Sequence, residues 1–300
     1  MGTQLWWFYD VAAVAIVIVT VFINAKRGAV KALASLISSI LAVTIALALS
    51  SGLSGTIYKV AVRDTINDKL TKSLLENETT GPLKSYMEGL GYNIIVNTDK
   101  LDKILDTGEN YDEQLFEYVN NINGKQVVSE AEFTTKIHAG YAEVFRTVIG
   151  KEVNRYVSAA AAEKIRNGEI KVEPLFSKLR VVDASLKPAA NIICDEYIEE
   201  PYRDYIGIIL FVVLFAAGYI ICRFLVNSML TKSTGIQSTG SKITGGIVGV
   251  IVGAVYIAFA ASLVRLSVIG GSNEMLFFNH DAINKTFIFR HFYELMSKIG

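Results

Sequence analysis

From Ala32 to Tyr58 the chain runs 27 residues without a charged side chain. At about 1.5 Å of rise per residue, a helix of that length more than covers a hydrocarbon core of roughly 30 Å. Ile243 to Val264 is a second uncharged run of 22 residues, and Tyr205 to Cys222 a third of 18. Val11 to Ala25 offers only 15 residues before Lys26, so a span here has to recruit Leu5 to Tyr9 and take Asp10 with it. The runs are continuously apolar rather than alternating, which makes helices, not barrel strands, the way their backbones are satisfied. A composition of 51% hydrophobic and 19% charged residues, with mean hydropathy +0.37, agrees. The expected fold class is all-α: an integral membrane protein with four transmembrane helices in two hairpins and a helical extracytoplasmic domain between spans 2 and 3. Residues 1–55 form the first hairpin, with spans over about 5–25 and 30–50. Residues 56–204 form the inserted domain, and residues 205–270 the second hairpin, with spans over about 205–229 and 243–266. A cytoplasmic linker covers 231–242, and 271–300 is an amphipathic tail.

The formal net charge of zero divides unevenly along the chain. Residues 56–204 hold 19 basic and 25 acidic side chains, and the remainder 10 basic and 4 acidic. That is not the pattern of a nucleic-acid binder with one basic face. Lys26, Arg27 and Lys31 lie between the first two spans, and Arg223, Lys232 and Lys242 between the last two, so both short loops are expected in the cytoplasm. The termini and residues 56–204 then lie outside a cytoplasmic (inner) membrane. Trp6, Trp7 and Tyr9 make an outer aromatic belt. Lys26 to Lys31 followed by an apolar run and Ala46-Leu47-Ala48 imitates a signal peptide, but an apolar span precedes it.

Within the inserted segment the period is helical. Ile66, Leu70 and Leu74 repeat at four, and Tyr141, Phe145, Ile149, Val153 and Tyr156 continue a stripe, which predicts one long helix from about Ser129 to Arg166. Gly81-Pro82, Asp106 to Asn110, Asn123-Gly124 and Asn167-Gly168 read as punctuation. Near the C-terminus Ile283, Phe287, Phe289, Tyr293 and Met296 form an aromatic-rich amphipathic stretch, expected on the outer membrane surface or on the inserted domain.

Two ladders of small residues carry a packing expectation. Gly245, Gly249 and Gly253 recur every four residues, and so do Ala34, Ser38, Ala42 and Ala46 in the second span. In a membrane such faces let two backbones approach closely, so the two ladders are expected to pack on each other or on a second copy. Asp10 is an intramembrane carboxylate near an interface, expected to serve structure or topology rather than ion coupling. Arg223 reads as a snorkelling cytoplasmic anchor.

Signs of enzymatic chemistry are missing from the sequence. His138, His280 and His291 make no H-E-x-x-H motif, and there is no G-x-S-x-G elbow. Gly235 to Lys242, GIQSTGSK, imitates a phosphate loop but has Ser241 where the lysine belongs. Cys194 and Cys222 are too few for a disulfide or metal scaffold and fall on opposite sides of the expected membrane. No cofactor and no metal site is expected.

In Asp10, the basic-glycine turn Lys26-Arg27-Gly28, the following Ala32-Leu33-Ala34-Ser35-Leu36, and Ser241-Lys242-Ile243-Thr244-Gly245-Gly246, the chain resembles the colicin V production (CvpA) family of bacterial inner-membrane proteins. The resemblance covers the two hairpins, about a third of the chain. Relatives usually carry an aspartate where Ser241 stands, and 56–204 looks like an expansion of their shorter middle loop. The resemblance implies a multi-pass, non-enzymatic scaffold in toxin production or secretion, or in envelope homeostasis, with the lipid bilayer, envelope or secretion proteins and a second copy as partners. It carries over no catalytic residues. The rival expectation is a small oligomeric transporter or channel.

Overall fold

The computed structural model describes residues 5–76, 80–179, 186–230, 238–270 and 280–298. All elements among them are helical: α1 (Trp7–Ile57), a π-helical turn Tyr58–Val62, α2 (Arg63–Glu76), α3 (Thr80–Glu88), α4 (Thr98–Thr107), α5 (Tyr111–Asn123), α6 (Glu130–Ile149), α7 (Arg155–Arg166), α8 (Glu173–Leu179), α9 (Lys187–Ile192), a second π-helical turn Ile193–Tyr197, α10 (Glu199–Leu230), α11 (Thr239–Gly270), α12 (His280–Asn284) and α13 (Phe289–Met296). The chain divides into two compact units, residues 1–57 with 203–300, and residues 58–202.

Among the described residues three helical runs are long and apolar enough to cross a membrane, Trp7–Leu74, Glu199–Val226 and Thr239–Gly270. The two spans expected over 5–25 and 30–50 belong to one helical run, interrupted at Gly28 with φ 77° and ψ 171°. That backbone region is open essentially to glycine alone. The chain reverses there. Along α11, Gly245, Gly249 and Gly253 meet Asn24, Val21 and Val17 in turn, so α11 runs antiparallel to residues 7–27. Beyond Gly28 the order is opposite: Ala29 meets Ser241, and Ala32 and Leu36 pack with Val248, Val252 and Tyr256. The two arms of α1 are therefore antiparallel to each other. The α10 helix runs antiparallel to α11, with the Phe215 and Phe259 rings 4.6 Å apart and the Tyr219 and Tyr256 rings 5.8 Å apart.

The packing pattern is inverted relative to a water-soluble bundle. Ala13, Thr20, Asn24, Ala32, Ser38, Ser39, Ala42 and Ala46 are buried, while Ile18, Phe22, Ile220, Phe224 and Ile247 are each more than 60% exposed. Small residues inside permit close helix contact, and the large apolar side chains outside need an apolar solvent. The inward hydroxyls are satisfied locally, Ser38 and Ser39 donating to the carbonyls of Ala34 and Ser35 at 2.9 and 2.8 Å.

Of the linker expected over 231–242, residues 231–237 lie outside the described residues, and 239–242 already belong to α11. The amphipathic stretch near the C-terminus is resolved into α12 and α13. Its buried side chains, Ile283, Phe289, Tyr293 and Met296, pack in one cluster with Tyr9, Ala261 and Val268, so it docks on its own bundle rather than elsewhere. Asn279 and Ile299 lie outside the described residues.

In the second unit α6 is the central helix, burying Phe133, Ile137, Tyr141, Phe145 and Ile149 at a spacing of four. The single helix expected from Ser129 to Arg166 is two. It stops at Ile149 and restarts at Arg155, where the Asn154 side chain accepts the Tyr156 amide at 2.8 Å and caps α7. Val153 and Val157 stay buried across the break, so the apolar stripe persists although the helix does not. Gly81-Pro82 falls in the first turn of α3 rather than between helices, a position proline favours. The connections at 108–110 and at Gly124 are turns as expected, with Gly108 and Gly124 at φ 75° and 66° closing α4 and α5.

Both ends of this unit are held together. Arg63 engages Asp195 through two hydrogen bonds of 2.7 Å, and its Nη2 reaches Asn191 at 3.2 Å. Asn67 donates to the same Asn191 oxygen at 2.8 Å. The Tyr58 hydroxyl donates to the Cys194 carbonyl at 2.7 Å, and the Tyr58 ring stacks on Tyr202 at 5.6 Å. The Arg63 guanidinium holds the Asp195 carboxyl below its ordinary range. Burial pushes the Cys194 thiol up to about 11, which makes it an inert packing residue.

Candidate functional site

Asp10 lies in the first turns of α1 and is the most heavily engaged polar side chain of the first unit. Its Oδ2 accepts the Phe287 amide at 2.7 Å, and its Oδ1 accepts the amides of Ile288 and Phe289, both at 3.0 Å. The next amide, Arg290, is taken by the buried Thr286 hydroxyl at 2.8 Å. Four consecutive N–H groups at the start of α13 are thereby satisfied, with a negative charge at the positive end of the helix. Aromatic contacts flank the clasp: Tyr9 stacks on Phe289 at 5.0 Å, and Trp6 meets Phe287 edge-on at 5.7 Å.

The two small-residue ladders are both buried, but they do not face each other. A Cβ added at Gly249 would stand 2.7 Å from the Val21 Cα, and one at Gly245 2.5 Å from the Asn24 carbonyl oxygen. A Cβ at Gly253 would stand 2.7 Å from Thr20 Oγ1. The glycine ladder thus receives the backbone of the first arm of α1. Ala34, Ser38, Ala42 and Ala46 lie on the second arm, where a Cβ added at Gly218 of α10 would stand 3.8 Å from Ala42. The choice of partner depends on the reversal at Gly28, which ladder spacing does not encode.

At that reversal Gly28 is buried, Arg27 half-buried and Lys26 exposed, its Nζ 4.7 Å above the Phe22 ring. The Ala29 amide, first after Gly28, donates to Ser241 Oγ at 3.0 Å, so Ser241 acts as a cap supplied from α11. Arg223 is more than an anchor. Its guanidinium donates to the Tyr219 hydroxyl, which is paired with the Tyr256 hydroxyl. This polar chain joins α10 to α11.

The second unit contains a cleft of about 330 Å³ whose lining includes Asp112, Glu113, Glu130, Thr134, His138, Tyr141 and Glu173. His138 Nε2 lies 2.7 Å from Asp112 Oδ2, and the Tyr141 hydroxyl donates to Asp112 Oδ1 at 3.1 Å. The hydrogen bond to Asp112 raises the His138 pKa above its ordinary value. Burial, followed by the Asp112 charge, raises that of Tyr141, which stays a protonated donor. Gly168, at φ 72°, leaves room for the imidazole: a Cβ there would stand 3.1 Å from His138 Cε1. His138 therefore joins α5, α6 and the turn after α7. Among the described residues no hydroxyl or thiol other than that of Tyr141 is hydrogen-bonded to the Asp–His pair, which ties α5 to α6. The 26 positions between Asp112 and His138 gave the sequence no motif by which to couple them. Among the described residues no cluster of His, Cys, Asp and Glu is arranged to hold a metal ion.

Comparison with known proteins places no relative beside these features: no protein-family model, curated protein or solved structure matches the chain.

Proposed function

We propose that this chain is a non-enzymatic membrane scaffold of the colicin V production type: four spans in two hairpins carry the unit 58–202 outside a cytoplasmic membrane, where it meets envelope or secretion proteins. The observation that carries this reading is the engagement of Asp10. A carboxylate that couples ion movement has to exchange its partners with water or an ion. Asp10 instead spends both oxygens on three backbone amides of the C-terminal segment, a fastening role. The inverted packing of the first unit and the reversal at Gly28 support two paired hairpins. The residues behind the family resemblance also have structural roles: Gly28 turns the chain and Ser241 caps the arm that follows, a task an aspartate performs equally well.

The test compares wild type with Asp10→Asn, in cells and in proteoliposomes. The scaffold reading expects lower abundance and a protease-sensitive C-terminal segment, with no pH-dependent flux in either protein. A proton-driven flux in wild type that Asp10→Asn abolishes at unchanged abundance would establish the rival transporter reading.

A further inference from the structure

Arg265 lies on the face of α11 that buries Ala261 and Val268, and it is only 6% exposed. Its Nε is shut from solvent without a hydrogen-bond partner, and it forms no ion pair among the described residues. A second donor in the same packed region is also unsatisfied. Tyr9 is 4% exposed, and its hydroxyl, likewise shut from solvent, has no partner. Tyr9, Ala261, Val268, Phe289 and Tyr293 belong to one cluster, and Arg265 follows Ala261 by one helical turn on the same buried face of α11.

A buried guanidinium without an anion is strongly unfavourable, and burial of a lone hydroxyl adds to the cost. Among the described residues no carboxylate forms an ion pair with Arg265, Asp281 beside His280 included. His280 is held below its ordinary pKa by burial and then by the Arg265 charge, and its Nδ1 lies 3.2 Å from the Tyr293 hydroxyl. Asp10 is occupied by the amides of 287–289. Arg265 precedes the end of α11 at Gly270 by five residues, roughly 8 Å of helical rise. For a helix that crosses a bilayer, this is the depth at which phosphodiesters are found. The planar fork of arginine matches phosphate oxygens, and a tyrosine hydroxyl can donate to the same group.

We propose that Arg265 and the Tyr9 hydroxyl bind an anionic phosphate group, carried by a phospholipid headgroup or free in solution. The proposal rests on the membrane reading above for the lipid as source. The test follows thermal unfolding of the purified full-length protein in neutral detergent. Phosphatidylglycerol, dioleoylglycerol without a phosphate, and sodium phosphate against sodium chloride of equal ionic strength are each titrated in. Phosphatidylglycerol is expected to raise Tm by several degrees and dioleoylglycerol not at all. The Arg265→Gln variant should lose the shift, and Tyr9→Phe should weaken the apparent affinity about tenfold. A shift from sodium phosphate as large as that from the lipid would identify free phosphate as the source.

An equal phosphatidylglycerol shift in wild type, Arg265→Gln and Tyr9→Phe, or none from either phosphate source, overturns the proposal. Should Arg265→Gln fail to fold, Tyr9→Phe decides alone, and a fully retained shift overturns it. If Asp281→Asn destabilises the lipid-free protein as much as Arg265→Gln and the double variant is no worse, the chain's own carboxylate is the partner and the proposal also fails. Release of the wild-type protein from cell membranes by alkaline carbonate would sink the membrane reading separately, leaving the sodium phosphate titration to judge the site.

Discussion

Asp10 and Ile288 are 278 positions apart in sequence, yet the carboxylate of the first accepts the backbone amide of the second at 3.0 Å. With the amides of Phe287 and Phe289 on the same carboxylate, this closes the first unit between its two ends. An acidic residue in an apolar helix is here a helix cap supplied from far away in the chain.

Removing that cap should free the C-terminal segment. Asp10→Ala is expected to cost about 2–3 kcal/mol, because three charge-assisted hydrogen bonds are lost and the first amides of α13 lose their acceptor. Asp10→Asn keeps one acceptor oxygen and should cost about half as much. Thermal unfolding in detergent, with protease cleavage near residue 290, measures both.

Glycine requirements should follow geometry and not glycine content. Gly28→Ala forces a side chain into a backbone region reserved for glycine and is expected to destabilise by about 2–3 kcal/mol. Gly249→Ala drives a Cβ to 2.7 Å from Val21 Cα and must push the helices apart, whereas Gly52→Ala meets nothing within 4 Å and should be neutral. The three variants, compared by Tm in the same detergent, should rank in that way.

Ser241 should tolerate another cap but not the loss of one. Ser241→Ala is expected to cost about 1 kcal/mol and Ser241→Asp to retain wild-type stability, because either oxygen accepts the Ala29 amide. Equal loss in both variants would detach this residue from the turn.

The pair of His138 and Asp112 gives the second unit a pH dependence of definite sign. The folded-state pKa of His138 is raised by its hydrogen bond to Asp112. Its contribution is therefore complete below the unfolded value of about 6.5 and is lost as pH rises through the higher folded value. The pair is partly solvent-accessible, so the effect should be about 1 kcal/mol or less. Wild type minus His138→Gln, compared by denaturant titration between pH 5.5 and 8.5, should show a larger difference at the acid end.

What could be read without coordinates was whatever a single residue type dictates locally. The apolar runs, the glycine spacing and the anomaly of Asp10 follow from the identities of those residues. The partners do not. Nothing near Asp10 points to Phe287–Phe289, and the ladder at Gly245 could meet any close backbone. The break at 150–154 was hidden because Val153 and Val157 continue the stripe, although Gly150 and Asn154 are respectable stop and start signals. Arg265 follows directly on the uncharged run Ile243 to Val264, and no local signal marks it as a buried side chain. Arg223 had the same appearance, and its link through Tyr219 to Tyr256 became visible only once α10 and α11 were seen antiparallel.

The central claim is two membrane hairpins with the unit 58–202 outside, and cysteine accessibility in intact cells tests it most directly. Cys194 and Cys222 are first replaced, and single cysteines are placed at the exposed positions Lys125, Ser238 and Lys298. A membrane-impermeant maleimide is expected to label positions 125 and 298 from outside and to reach 238 only after lysis. Labelling of 238 in intact cells with protection of 125 would contradict the claim and reverse the protein in its membrane.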